Sequence, residues 1–322
     1  MRAIVVNETG GPEVLVHAEE HPDPEPGPGQ VVVEAAAAGV NFIDIYRRSG
    51  VYHQPLPYVP GSEGAGTVVA VGEGVTDVAV GDRVAWHDAH GGSYAERVAV
   101  DADMTVPVPD GTDLVAAAAV MLQGMTAHYL CRSTFEVKQG TVAVVHAAAG
   151  GVGLLLTQMI RTLGGTVIAT TSGGPKAELA EQAGADYVTG YGEFGAVVDR
   201  VTDGRGADVV YDGVGKDTFD ASLAALRPRG LMALFGGASG QVPPFDPQRL
   251  NSGGSLFLTR PTLADYTADR AELLWRAGDV LGAVARGELN VRIGLEYSLA
   301  HAPQAHEDLA ARRSTGKLIL IP

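Results

Sequence analysis

The chain has 322 residues, of which 46% are hydrophobic, with a formal net charge of −15 and a single cysteine. It is longer than one core usually grows, so two domains are expected. The acidic balance argues against a surface built for nucleic acid or an anionic membrane, which needs clustered Lys and Arg, and one cysteine excludes an internal disulfide and a multi-cysteine zinc site.

The first third reads as β-structure. Short strands are expected at 3–7, 14–18, 30–36, 66–71, 82–86 and 94–100, punctuated by glycine and proline. Residues 21–29 hold four prolines, which fix φ and remove donors, so this stretch is a loop. Strands this short at this spacing suggest a small barrel. Asp44 suits the cap of a short helix formed by the residues after it. The first residues lack the apolar run of a secretory signal, so a reducing, cytoplasmic setting is expected.

From about residue 111 the pattern turns helical, with helices expected over 114–122 and 126–135. Strands at 142–146, 166–170, 187–189, 208–212, 231–236 and 255–259 then alternate with helices such as 154–163, 176–183 and 217–226. Six strands in a βα rhythm imply an α/β domain with a doubly wound parallel sheet. Residues 141–160 are apolar and long enough to span a bilayer, but His146, three glycines and a strand–turn–helix rhythm fit a buried βα unit better. The last segment reads as helix 270–287, strand 291–299, helix 303–312 and strand 317–321, and is expected to rejoin the first domain.

The strongest motif is the turn from His146 to Gly153, between an apolar strand and an apolar helix. A turn of this kind lets backbone N–H groups and a helix N-terminus approach a pyrophosphate. Measured against G-x-G-x-x-G, Ala148 takes the first glycine position, and Gly150 and Gly153 take the second and third. By itself such a cluster also serves as an ordinary turn. An NAD site would place Asp or Glu about 20 residues later, at the end of the second strand. This chain has Thr170-Thr171-Ser172-Gly173-Gly174-Pro175-Lys176 there, with a hydroxyl and a lysine but no carboxylate. That chemistry favours the 2′-phosphate of NADPH. The alternative is that Lys176 merely opens the next helix as a solvated residue.

Other residues have plainer readings beside the functional ones. Tyr46 and Tyr52 are acceptor-site candidates or else barrel packing or loop-surface aromatics. His146 reads as a strand-end residue with a backbone partner, and Cys131 as an inert core side chain. His87 and His90 flank a loop, and their spacing alone does not indicate a metal.

Taken together, several segments resemble the zinc-independent quinone oxidoreductases, the ζ-crystallin-like family of the medium-chain dehydrogenase/reductase superfamily. They are Gly10-Gly11-Pro12-Glu13-Val14-Leu15, Gly39-Val40-Asn41-Phe42-Ile43-Asp44-Ile45-Tyr46, Arg48-Ser49-Gly50-Val51-Tyr52, Gly61-Ser62-Glu63-Gly64-Ala65-Gly66, Gly81-Asp82-Arg83-Val84, the turn ending at Gly153, and Gly316-Lys317-Leu318. The resemblance covers nearly the whole chain. It implies a six-stranded Rossmann sheet plus a discontinuous GroES-like β-barrel catalytic domain. The expected boundaries are 1–124 and 263–322 for the catalytic domain and 125–262 for the NADPH-binding domain, with the active site in the cleft between them.

The resemblance also assigns site residues. Asn41 and Tyr46 would approach the nicotinamide side, with Gln123, Gly124 and Thr126, just before the first nucleotide-domain helix, on the nicotinamide mononucleotide half. Gly150, Gly151, Val152 and Gly153 would hold the pyrophosphate. Ser172, Lys176, Tyr191 and Arg312 would surround the 2′-phosphate, and Phe235, Gly236 and Gly237 would line the nicotinamide pocket. Gly237 and Gln123 replace an Asn and a Lys of close relatives. Lys317 is either a further phosphate contact or a surface strand residue.

Zinc-dependent relatives carry Cys at the position of Asn41 and His at that of Ser62, leaving Glu63 alone as a ligand, so no metal is expected. The implied activity is transfer of reducing equivalents from NADPH to a quinone, with Tyr46 or Tyr52 orienting the acceptor, in a cytoplasmic homodimer that binds neither nucleic acid nor membrane. An alkenal or enone double-bond reductase is the enzymatic alternative, and a non-enzymatic, crystallin-like NADPH-binding protein is the alternative of another class.

Overall fold

The structure, a computed structural model, describes residues 1–89 and 91–322. The chain divides into two compact units, one formed by residues 1–125 with 268–322 and the other by 126–267.

The first unit is built on a seven-stranded sheet. Its central strand, Gln30–Val40, pairs along one side with Glu63–Val71. On its other side the first half pairs with Arg97–Asp101 and the last residues with Lys317–Ile321. One strand therefore holds together segments from both ends of the chain. Alternate residues of these strands and of Arg83–His87, which pairs with Glu63–Val71, namely Val31, Val33, Val68, Val84, Trp86, Val98 and Val100, form one core cluster, as the period-2 pattern of a strand requires. A second cluster joins Ile4, Val6, Val40, Leu318 and Leu320 to Leu299, Ala302 and Ala305.

The second unit is a six-stranded, fully parallel sheet. Its spatial order is Tyr187–Thr189, Thr166–Thr170, Val142–Val145, Ala207–Asp212, Leu226–Leu234, Phe257–Thr259. Numbered along the chain this is 3-2-1-4-5-6, the doubly wound order whose ligand crevice lies where the strand order reverses, between the first and fourth strands. The stretch 141–160 resolves into the strand Val142–Val145, the turn and the helix Gly151–Thr162.

Three local expectations are corrected. Residues 114–129 form one helix, Leu114–Tyr129, continued by a π-helical turn at Leu130–Thr134, not two helices with a break. Gly124 suggests a break but serves close packing: a Cβ there would lie 2.6 Å from Val280 Cγ1. Gln123, Gly124 and Thr126 therefore sit inside a helix rather than before one. The fifth sheet strand begins at Leu226, because Pro228-Arg229-Gly230 is taken up as an irregularity, with the pairing jumping from Ala207–Leu226 to Val209–Leu231. The helix Phe194–Thr202 was not anticipated, although Phe194 and Val198, four residues apart, bury one face of it.

Candidate active site

At the switch point the chain leaves Val145 and turns through Ala147 at φ 51. Gly150 is the N-cap of helix Gly151–Thr162. The first-turn N–H groups of such a helix have no partner within it. Gly153 is required by contact, since a Cβ there would stand 2.5 Å from the Ala147 carbonyl oxygen and 2.7 Å from Ala148 Cα. Ala148 is buried, and its N–H donates to the Thr170 carbonyl, so a residue without φ freedom suffices at the first motif position.

Opposite the turn, the fourth strand ends at Asp212, whose carboxylate is fully buried. Its Oδ1 accepts the N–H groups of Val214 and Gly215 at 2.8 and 2.9 Å, and its Oδ2 accepts the hydroxyls of Thr218 and Ser222 at 2.7 and 2.9 Å. This fixes the loop 213–215. Gly213 and Gly236 pack backbone to backbone, since a Cβ on Gly236 would meet the Gly213 carbonyl oxygen at 2.6 Å. The half-buried Phe235 ring would meet a Cβ on Gly213 at 2.9 Å, and Gly237 follows in the same loop.

His146 is buried between two hydroxyls, Thr170 Oγ1 at 2.8 Å and Ser222 Oγ at 2.9 Å. The Ser222 hydroxyl donates to Asp212, so His146 Nε2–H donates to Ser222 and Nδ1 accepts from Thr170, an assignment made from the network. The expected backbone partner of the side chain is thus replaced by two side-chain hydroxyls. Burial pulls this imidazole down to about 4.

The second strand ends at Thr170, and Gly173 and Gly174, both at positive φ, lead into helix Pro175–Gln182. Ser172 is exposed, and Lys176 is half-buried in the first turn of that helix. Tyr191 follows the third strand with its ring 5.9 Å from that of His146. The structure thus brings Tyr191 to the glycine turn.

In the first unit, Asn41 is the N-cap of helix Phe42–Arg48. Asp44 is not the cap itself. As the third helical residue, its carboxylate accepts the Asn41 N–H at 2.9 Å. Tyr46 and Tyr52 form an edge-to-face pair, with ring centroids 5.4 Å apart, and Tyr52 is 41% exposed. Tyr52 is therefore a surface aromatic, not barrel packing. Gln123 Oε1 is buried without a hydrogen-bond partner. Arg312, in this unit, is exposed at φ 57 just past helix Ala302–Ala310.

One residue was misread from the sequence. Lys317 is not a surface strand residue: it is 1% exposed, and its ammonium is bonded to Glu63 and to Asn41 Oδ1, the latter at 2.7 Å. Glu63, the one remaining ligand of the zinc-dependent pattern, is itself fully engaged. Besides Lys317, its Oε1 accepts Asn41 Nδ2 at 2.7 Å and its Oε2 accepts the Leu122 N–H at 2.6 Å. A second buried network runs alongside. Tyr94 OH lies 3.1 Å from Asp44 and 3.1 Å from His306 Nε2, and Ser62 Oγ donates to Asp44 at 2.5 Å. Burial raises the Asp44 carboxyl, against the Ser62 and Asn41 bonds that lower it. Burial, and then the Arg48 charge, pull His306 down to about 3. His87 is buried with Nε2 unpaired, and His90 lies outside the described residues.

These buried histidines set an acid limb. Each binds a proton near pH 6.5 when unfolded but only near pH 4 or 3 when folded. The unfolded state therefore holds more protons in that window, and stability falls as the pH drops through it. Each histidine contributes up to about 1.4 kcal/mol per pH unit, while Asp44 works in the opposite direction. Urea unfolding at a series of pH values from 7 to 4 is expected to show a falling midpoint, and His306→Gln a shallower fall.

A discontinuous unit of this kind, with a 3-2-1-4-5-6 parallel sheet set between its two segments, defines a medium-chain dehydrogenase/reductase. Residues 27–110 match the alcohol dehydrogenase GroES-like domain, and residues 151–267 match the zinc-binding dehydrogenase family. A quinone oxidoreductase of Pseudomonas aeruginosa is 46% identical over 316 residues, covering 97% of each chain. A 2-haloacrylate reductase of a Burkholderia species is 41% identical, covering 99% of this chain and 98% of its own. Among solved structures, Escherichia coli quinone oxidoreductase complexed with NADPH superposes with a TM-score of 0.97 at 39% identity, and a mycobacterial protein complexed with NADPH with a TM-score of 0.96 at 49%, each over 100% of both chains. The chain belongs to the quinone oxidoreductase family.

The zinc named in one matching family does not fit the residues present. Zinc needs three deprotonated N, S or O ligands. Here Asn41 and Ser62 flank a single carboxylate whose two oxygens are engaged by an ammonium, an amide and a backbone N–H. Among the described residues no group of three or more His, Cys, Asp and Glu is arranged to hold a metal.

Proposed function

We propose that this chain is an NADPH-dependent reductase of quinones and similar electron-poor conjugated carbonyls, working without a metal. The observation that carries this reading is the glycine turn at the switch point, followed by a second strand that ends in Ser172 and Lys176 with no carboxylate. Family membership, with NADPH complexes among the solved relatives, supports it. The residues fit the cofactor. Gly153 and the Gly213–Gly236 contact hold the turn and the neighbouring loops in close backbone approach, and Gln123 Oε1 is a buried acceptor in need of a donor.

In this reading the N–H groups of Gly150, Gly151, Val152 and Gly153 hold the pyrophosphate, and Ser172, Lys176, Tyr191 and Arg312 hold the 2′-phosphate. Asn41, Tyr46, Gln123, Thr126, Phe235, Gly236 and Gly237 hold the nicotinamide half. NADPH supplies the reducing equivalents, and the protein supplies orientation and exclusion of water. A quinone is electrophilic enough to react without a Lewis acid. The Tyr46–Tyr52 pair offers a flat ring surface and a hydroxyl to the acceptor.

Purified protein is expected to oxidise NADPH with simple benzoquinones, faster than NADH, and to keep its rate in a metal chelator. Failure with every quinone, or loss of activity in chelator, overturns the reading. Tyr52→Ala is expected to raise the quinone KM with little change in NADPH affinity. Tyr46→Phe keeps the ring, so a lower kcat at unchanged NADPH affinity places its hydroxyl in the transfer step. If both leave quinone kinetics unchanged, the pair is not the acceptor site.

The 2-haloacrylate reductase relative favours a second reading, reduction of an activated carbon–carbon double bond. Rates with a quinone, an enone and 2-chloroacrylate side by side separate the two. We also read the chain as a cytoplasmic homodimer without nucleic-acid or membrane partners. The edge strand Phe257–Thr259, with Phe257 60% exposed, supports pairing across a two-fold axis, and sedimentation tests it.

A further inference from the structure

Asn41, Glu63 and Lys317 come from three separate segments: the N-cap of helix Phe42–Arg48 and the first residues of strands Glu63–Val71 and Lys317–Ile321. All three are at most 3% exposed. Each makes a hydrogen bond to both others, since Lys317 Nζ donates to Asn41 Oδ1 and to Glu63 Oε1, and Asn41 Nδ2 donates to that same Glu63 oxygen. Gly39 provides the space, because a side chain there would overlap the Glu63 carboxylate and come within 2.6 Å of Lys317 Cε.

The chemistry of the three groups allows one arrangement only. An ammonium can only donate and an ionised carboxylate can only accept. The atom of Asn41 facing Lys317 must therefore be its oxygen, and the atom facing Glu63 its nitrogen. A flipped amide would meet a donor with a donor and an acceptor with an acceptor, in a site without exposure to water. The Asn41 backbone is held as well, by its N–H bond to Asp44 at 2.9 Å. Asn41 also forms a capping box with Asp44, its side chain accepting from the Asp44 backbone N–H, so beyond these bonds it is left with one N–H, which makes a long 3.4 Å approach to the Gly39 carbonyl.

A buried ion pair adds little stability of its own, because desolvation offsets the attraction, and uncharged side chains of similar size often replace it without loss. Its specific contribution here is directional.

We propose that Lys317 and Glu63 are positioning residues that lock the Asn41 carboxamide in one orientation, so that Asn41 presents its remaining N–H in a fixed direction to an oxygen on the nicotinamide half of the cofactor. The proposal rests on the NADPH reading above. A buried cation delivered by the last strand thus stands against the one carboxylate that zinc-dependent relatives use as a metal ligand.

The test compares two ligands, NADPH and 2′,5′-ADP, which carries the phosphate and adenosine but no nicotinamide half. The variants are Lys317→Met, which leaves Glu63 unpaired, and the double variant Lys317→Met/Glu63→Gln, which removes both charges and is expected to fold as well as the wild type. In the double variant, NADPH affinity should fall about tenfold, the scale of one misaligned hydrogen bond, and kcat should fall with it. Affinity for 2′,5′-ADP should stay within about twofold of wild type. A double variant that binds NADPH like the wild type, or that loses both ligands equally, overturns the positioning role. A wild-type protein that binds 2′,5′-ADP but gains nothing from the nicotinamide half also overturns it, and one that binds neither ligand overturns the cofactor reading as well.

Discussion

Replacing Asp212 with alanine is expected to cost about 3–5 kcal/mol of folding stability, among the larger effects of a single substitution. The carboxylate is fully buried and accepts four hydrogen bonds, two from backbone N–H groups and two from hydroxyls. Alanine leaves all four donors without an acceptor, and each buried unsatisfied group costs about 1–3 kcal/mol before relaxation. The Thr218 and Ser222 hydroxyls can rotate to other partners, but the Val214 and Gly215 N–H groups cannot. Asp212→Asn keeps an oxygen for those two N–H groups and presents an amide to the hydroxyls, which can turn to accept, so its cost should be about 1–2 kcal/mol. Urea titration followed by far-ultraviolet circular dichroism measures both. Because the same bonds hold loop 213–215 beside the glycine turn, any Asp212→Ala protein that remains folded should bind NADPH more weakly. A loss under about 1 kcal/mol would mean the loop is held by other contacts.

Lys176→Ala is expected to weaken NADPH binding ten- to a hundredfold, about 1.5–3 kcal/mol, and to leave NADH nearly untouched. The side chain opens a helix after two glycines at positive φ, at the end of the second strand, where a ribose 2′-substituent arrives in a doubly wound sheet. Fluorescence titration with both cofactors measures the difference. Equal losses for the two would assign Lys176 to helix packing or solvation instead.

The parts of the molecule legible in the sequence are those governed by local sterics. The turn at Gly150 and Gly153 is legible because close backbone approach admits nothing larger, and the six-strand rhythm because buried parallel strands read as short apolar runs. The gap expected between 122 and 126 is absent, because Gly124 lies inside the helix and lets Val280 approach closely. The buried face of Phe194–Thr202 was present at Phe194 and Val198, but glycine and aspartate around it weaken the helical pattern. The Asn41–Glu63–Lys317 triad was hidden for another reason. Strand Lys317–Ile321 is buried along nearly its whole length, so no alternation marks Lys317 as inward-facing, and its partner carboxylate lies 254 residues away. His146 and Asp212 likewise lie far apart in the chain, at the ends of neighbouring strands, and share the Ser222 hydroxyl.

That separation also bears on how the protein is made. The residues of the parallel sheet lie between the two segments of the first unit, so they leave the ribosome complete while the first unit still lacks its final strand. Domains fold as units during synthesis, so residues 126–267 are expected to fold first. Meanwhile the central strand Gln30–Val40 has an unpaired edge at Ala38–Val40, and Glu63 has no counter-charge. Both needs are met by Lys317–Ile321, which emerges after the whole of the parallel sheet. A nascent chain stalled before residue 317 would therefore carry an exposed strand edge beside an unneutralised carboxylate, a state open to chaperone capture and proteolysis. The strand that supplies the site's buried cation also pairs the open edge of the central strand, coupling synthesis of that strand to assembly of the site.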